Sequence, residues 1–284
     1  MFVNEEIEMN TTQKPILILG GTGKTGRRLA ERLTAKGIAV RIGSRNGKPT
    51  FDWQDRETWD AALEGISAVY ISYYPDIAVP GAAETVEALA RLAVKRGIKR
   101  LVLLPGRGET EAQRAEEMVK ASGADWTILR CSWFSQNFSE GFLIESILEG
   151  EVALPVGAVG EPFVDADDIA DVAETVLTEP GHVGQVYELT GPRLLSFAQA
   201  AAEIGESVGR DIRYRQISHA EFTETMAMHD LPPEFAWLLN ELFTEVLDGR
   251  NETLTDGVQR ALGRQPKDFS TYANETAATG IWSN

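Results

Sequence analysis

Apolar and polar positions divide the chain into a rhythmic first half and a less regular second half. Ile16-Leu17-Ile18-Leu19 is an unbroken apolar run between proline and glycine, which predicts a strand buried on both faces. From about Thr22 the period lengthens, with Leu29 and Leu33 four apart, and this helix ends at Gly37. Strand Ile38–Ile42 follows, then a short strand end at Phe51 and a helix bearing Trp59 and Leu63. Strand Ala68–Ser72, helix Ala82–Arg96, strand Arg100–Leu104, helix Glu109–Ser122 and strand Trp126–Leu129 continue the alternation. That order predicts an α/β fold with a parallel, doubly wound sheet. Ligands bind outside the carboxyl ends of such strands, so loops 20–26, 43–45, 73–76, 105–108 and 131–137 should face one crevice.

Beyond residue 130 the rhythm changes. Ser135–Glu149 reads as one helix and Glu151–Pro155 as a short strand. Asp165 caps a helix through Ile169, Val172 and Val176; with Asp167 and Asp168 it reads as capping and dipole compensation rather than a metal site. Val186–Leu189 is a further strand. Ser196 with Gln199, and Ser218 with Glu221, form capping boxes around a half-exposed strand at Ile212–Ile217, leaving His219 in an exposed first turn. After Pro232-Pro233 a helix carries the stripe Phe235, Leu238, Leu239, Leu242, Phe243 and Val246, suited to a core or a dimer face. The polar end, 251–284, has Val258, Leu262, Phe269 and Tyr272 as anchors.

The chemistry is concentrated where the first strand meets its helix. Gly20, Gly23 and Gly26 permit a tight turn, backbone approach to a pyrophosphate and close helix–strand packing. The first N–H groups of the helix have no intrahelical partner and favour an anion. Gly23-Lys24-Thr25 looks like the end of an ATPase P-loop, but Ile18 stands where that motif needs its first glycine, which excludes it. A dinucleotide turn remains. An acidic residue about twenty positions on usually holds the adenosine ribose, yet no carboxylate lies between Glu31 and Asp52. Ser44 and Arg45 occupy the place of a 2′-phosphate, so NADPH is favoured over NADH, with NADH as the alternative.

Composition narrows the partners. With 284 residues, 43% of them hydrophobic, the chain can bury a large core. A formal net charge of −16 argues against nucleic acid and anionic membranes. No apolar stretch approaches a bilayer span, and residues 1–14 read as a flexible acidic tail without signal-peptide character. A single cysteine, Cys131, suits a reducing compartment, the cytoplasm. Monomer and homodimer both remain open.

The ordered landmarks resemble the NmrA-like branch of the atypical short-chain dehydrogenases. Gly20-Gly21-Thr22-Gly23-Lys24-Thr25-Gly26 is similar to its cofactor turn, and Asp52-Trp53-Gln54-Asp55 to its adenine-side acidic turn. Residues 122–130 with Trp133-Phe134-Ser135-Gln136-Asn137-Phe138 resemble its sixth-strand signature; Phe163-Val164-Asp165, Asp168-Ile169-Ala170 and Tyr187-Glu188-Leu189-Thr190-Gly191-Pro192 resemble later ones. The closest look is to azo- and quinone-reductase-like members and ergot-alkaloid iminium reductases. The resemblance implies a Rossmann domain over 15–190, with 131–160 partly lining the cleft, and a smaller α+β substrate lobe over 191–284. It also implies that a non-catalytic NADP(H) sensor is the alternative to an enzyme.

One element is missing. Short-chain dehydrogenases protonate a developing alkoxide with a tyrosine whose pKa is lowered by a lysine four residues later. No tyrosine here has that lysine, and none at all lies between Tyr74 and Tyr187. Tyr73 and Arg114 remain the candidate catalytic side chains, although a guanidinium is a poor acid. The expected reaction is therefore hydride transfer to an already electrophilic acceptor (iminium, azo or quinone) held by proximity. Tyr73 and Gly106 would meet the cofactor, and Arg107, Trp133, Phe134 and Asn137 would line a site for a small aromatic or conjugated substrate.

Overall fold

A computed structural model describes residues 14–228 and 233–283. The amino-terminal tail and the Pro232 boundary of the striped helix lie outside the described residues. Strands β1 (Ile16–Leu19), β2 (Val40–Gly43), β3 (Ala68–Ile71), β4 (Arg100–Leu103) and β5 (Asp125–Cys131) are all parallel. Helices α1 (Lys24–Ala35), α2 (Trp59–Leu63), α3 (Ala82–Lys95) and α4 (Thr110–Lys120) alternate with them. The sequence's alternation of apolar runs and helical stripes is thus realised element by element. Two layers of helices cover the sheet, and its strands β1, β3 and β4 are buried on both faces, as their unbroken apolar composition requires.

The second half departs from the expected order. A 3₁₀ turn at Ser135–Phe138 stops at Ser139, and α5 begins only at Ile144, so the single helix expected over 135–149 is broken in two. Phe138 and Leu143 are driven into the lobe core on either side of the break, and Gly141 lies between them. β6 (Glu151–Leu154) leaves the main sheet; after α6 (Ala166–Thr178), β7 (Gln185–Leu189) pairs with β5 and gives the order β2-β1-β3-β4-β5-β7. β6 pairs instead with β8 (Arg213–Gln216), which follows α7 (Phe197–Val208). The full capping box at Ser196–Gln199 starts α7 as expected.

α8 (His219–Met228) and α9 (Pro233–Glu241) follow, and α9 runs into a π-helical turn at Leu242–Val246. α10 (Gly257–Leu262) returns to pack on β7 and α6, and α11 (Phe269–Ala278) packs on α7. The lobe core joins Phe138, Phe163, Phe197 and Phe269 in edge-to-face and tilted pairs, with ring centroids 5.1–5.9 Å apart. Trp282 closes it and donates from Nε1 to the Phe138 carbonyl at 3.0 Å. Among the described residues no helix is long and apolar enough to cross a membrane.

Candidate active site

The strand order reverses between β1 and β3, the place where a doubly wound sheet opens a crevice at its carboxyl edge. Gly20 turns there with φ +68°, and the Gly23 amide donates to its carbonyl at 2.9 Å. A Cβ on Gly26 would stand 2.3 Å from the same carbonyl, so only glycine lets α1 start this close to β1. The α1 N-terminus has no side-chain cap and no acidic residue in its first turn, leaving its amide donors open. Thr22 and Gly23 are exposed. Thr25 points inward: its hydroxyl bonds the buried Tyr70 hydroxyl at 2.9 Å, so its backbone, not its side chain, faces the turn. Lys24 makes no ion pair among the described residues, and burial lowers its pKa; Glu140, which opposes that shift, is engaged by Arg27 and Arg28 at 2.8 and 2.7 Å.

At the β2 side, Ser44 closes a turn by accepting from the Gly47 and Phe51 amides, each at 3.0 Å. Arg45 is exposed, makes no ion pair among the described residues, and lies 5.7 Å over the ring of Tyr74 from the β3 loop. Asp52 holds an Asx turn through the Gln54 amide at 3.0 Å. Tyr73 packs on Trp53 with centroids 4.7 Å apart and bonds Thr85, so it belongs to the aromatic cluster of Phe51, Trp53 and Trp59.

The β4–β5 end differs from the expectation. Arg107 is buried and spent on the chain: it donates to the carbonyls of Asn251 and Thr253 at 3.0 and 2.9 Å and to the Thr253 hydroxyl at 2.5 Å. Arg114 sits on the outer face of α4, paired with Glu84 and Glu111. Trp133 is sandwiched between Phe197 and Phe243 at 5.8 and 5.5 Å, and Phe134 packs half-buried on the β5–α6 side. Asn137 is half-buried in the 3₁₀ turn beside the crevice. The structure therefore gathers Trp133, Phe134 and Asn137 along one segment and removes Arg107 and Arg114.

Polar atoms that the sequence did not single out collect here instead. Five buried side-chain polar atoms among the described residues have no partner, and four are at this end: Glu109 Oε2, Ser132 Oγ, Trp133 Nε1 and Glu161 Oε2. Unpartnered buried polar atoms cost free energy and concentrate where a ligand completes them. The Glu161 carboxyl is pushed up to about 7 by burial, offset in part by the Trp133 amide and the Arg107 charge. Glu109 stands well above the ordinary carboxyl range because it is desolvated and faces Asp76. Burial also pushes the Cys131 thiol up, which makes it inert as a nucleophile. Glu109 lines a cavity of ≈ 210 Å³ walled by Ala78 and Gly108 on the sheet side and by Trp237, Leu242 and Val246 on the lobe side. A larger open groove of ≈ 690 Å³ lies elsewhere, among Asp167, Asp168 and Asp171, whose charges are matched by Arg32, Arg264 and Lys267.

Residues 20–180 match the sequence profile of the NAD(P)H-binding family. The chain belongs to that family. Named oxidoreductases are among its relatives. An uncharacterized oxidoreductase of Bacillus subtilis is 33% identical over 95% of this chain and 99% of its own. Festuclavine synthase I of Penicillium roqueforti is 32% identical over 91% of this chain and 96% of its own. Among solved structures, an NADPH-dependent quinone oxidoreductase of Escherichia coli with bound NADPH superposes with TM-score 0.73 at 23% identity, covering 92% of this chain and 99% of that one. The negative transcriptional regulator NmrA with NADP superposes with TM-score 0.71 at 17% identity, covering 96% and 99%. Both likenesses are of fold.

The family's ligand fits what the crevice offers. The glycine approach at Gly26, the bare α1 amides and the unpaired Lys24 could hold a pyrophosphate. Glycine spacing signals this end in the sequence. Glu109, Ser132 and Glu161 had no such signal, because a lone acid or serine after a strand reads as loop or cap.

Proposed function

We propose that the chain is an NADPH-dependent reductase of conjugated electrophilic acceptors: iminium, azo or quinone compounds. The observation that carries this reading is the crevice itself. A glycine turn suited to a dinucleotide opens at one end and a cavity lined by Trp237 and the unpartnered Glu109 at the other, and no tyrosine–lysine pair stands between them. Gly20, Gly23, Gly26 and Lys24 would hold the pyrophosphate, with Ser44 and Arg45 at the adenosine 2′-phosphate. Unpaired and exposed, Arg45 is free to take a phosphate in two parallel bonds. When bound, the nicotinamide supplies hydride. The chain's part is to exclude water with the α9 wall and to orient a flat acceptor beside Trp133 and Asn137.

The names of the relatives support an electrophilic C=N or quinone acceptor, and the likeness to NmrA keeps a sensing role as the rival. NADPH oxidation with a panel of iminium, azo and quinone acceptors tests the reading. Turnover with at least one class is expected. Intact NADPH binding without turnover across the panel would select the sensor.

A further inference from the structure

Glu109 immediately precedes α4, at the point where β4 and β5 part. Gly106 and Cys131 still form a bridge there, and the Glu109 carboxyl occupies the space a side chain on Gly106 would fill. The Gly106 amide donates to it. Its Oε2 has no partner, the residue is more than nine-tenths buried, and it borders the ≈ 210 Å³ cavity between the sheet edge and the α9 wall. Across from it, in the loop after β3, Asp76 is fixed by the Ala78 amide at 2.9 Å. Glu109 is desolvated and the half-buried Asp76 opposes a negative charge on it, so Glu109 retains its proton.

We propose that Glu109, with Asp76 as its like-charged neighbour, is the proton donor to neutral acceptors bound in this cavity. This rests on the reductase reading above. A quinone receives two electrons as hydride from NADPH and becomes an anion. The Glu109 O–H bond then breaks, its proton passes to the acceptor oxygen, and the hydroquinone leaves a carboxylate that solvent reprotonates. A cationic acceptor ends neutral on hydride addition and needs no such step. The site thereby supplies by a carboxyl pair what the absent tyrosine–lysine pair would supply.

The groups that set the pair's charge come from every surrounding element. Burial and the neighbouring Asp76 both raise Glu109, while the Gly106 amide opposes them. Burial likewise raises Asp76, against the Ala78 and Ile77 amides. Beside Glu109 stands the Cys131 thiol at the end of β5. Around the cavity are Glu111, Glu241, Glu245 and Arg250, the last already paired with Glu245 and Asp248. No cation balances the pair directly among the described residues.

The test compares two hydride acceptors on the full chain with NADPH: menadione, a neutral quinone, and N-methylacridinium, a permanent cation. Glu109→Gln keeps the shape but has no transferable proton; it should slow menadione single turnover about 100-fold and leave N-methylacridinium within about twofold. Asp76→Asn removes the like-charged neighbour, so Glu109 ionises at lower pH and the alkaline limb of the menadione profile should move acidward. It also serves if Glu109→Gln misfolds, with circular dichroism checking both. The infrared difference spectrum of parent minus Glu109→Gln at neutral pH, in which the shared Glu161 signal cancels, should show a carboxylic-acid C=O band, independent of turnover. Equal slowing with both acceptors, an unchanged menadione rate, or no such band would overturn the proposal. If the parent reduces neither acceptor, the reductase reading fails and proton delivery with it, and the band alone then decides whether the pair holds a proton.

Discussion

The two ends of the crevice are built on opposite principles. At the β1–β2 end the groups left open are backbone amides and cations: the uncapped α1, Lys24 and Arg45. At the β4–β5 end they are buried side-chain atoms, several of them acidic, without partners. Backbone recognition requires glycines at fixed spacing, and that requirement is written in sequence. Side-chain chemistry requires only that single residues from distant segments meet. Glu109 and Asp76 are thirty-three positions apart, and Glu161 comes from the lobe boundary.

Mutations can separate the ends. The largest effect is expected at the first: Gly26→Val would drive its side chain into the Gly20 carbonyl and weaken NADPH binding more than about 100-fold by calorimetry. Retained affinity would break the comparison by showing that backbone approach is not what binds. At the second end, the raised Glu161 sets a pH dependence of stability. Its contribution is present in full below the ordinary carboxyl value of 4.5 and is lost as pH rises toward about 7. The loss should reach about 3 kcal/mol in denaturant titrations, and Glu161→Gln should flatten its share of the slope.

Arg107 sharpens the boundary between structure and site. Arg107→Met leaves the carbonyls of Asn251 and Thr253 without a donor and should cost about 2 kcal/mol, with the acceptor KM unchanged. A raised KM with unaltered stability would return Arg107 to the substrate. The smallest effect belongs to Arg45→Ala, expected to weaken NADPH about tenfold while sparing NADH. Equal losses for both cofactors would refute the 2′-phosphate assignment.

Much of the fold was legible because the parallel strands are buried on both faces and read as unbroken apolar runs, as Ile16–Leu19 does. The break after Phe138 was not, since Phe142, Leu143 and Ile147 fit a helical stripe while the chain bends to put Phe138 and Leu143 in one core. The departure of β6 from the main sheet was equally hidden. Glu151–Leu154 is only four residues long and carries no signal for which sheet it joins. Arg107 and Arg114 illustrate a further limit: an arginine near a crevice loop looks the same in sequence whether it meets a ligand or, as here, backbone carbonyls and surface acids.

Glu140 gives the crevice an unusual relation to salt. It holds both Arg27 and Arg28, and Asp167 also pairs with Arg28, so a multiply anionic dinucleotide meets few free charges beside Lys24 on a chain of net charge −16. At long range the field is repulsive, and within a screening length of about 8 Å at physiological ionic strength it becomes attractive around Lys24 and Arg45. Added electrolyte therefore speeds approach and loosens the final grip. Cofactor association and dissociation rates should both climb with ionic strength, leaving the equilibrium far less sensitive to salt than either rate.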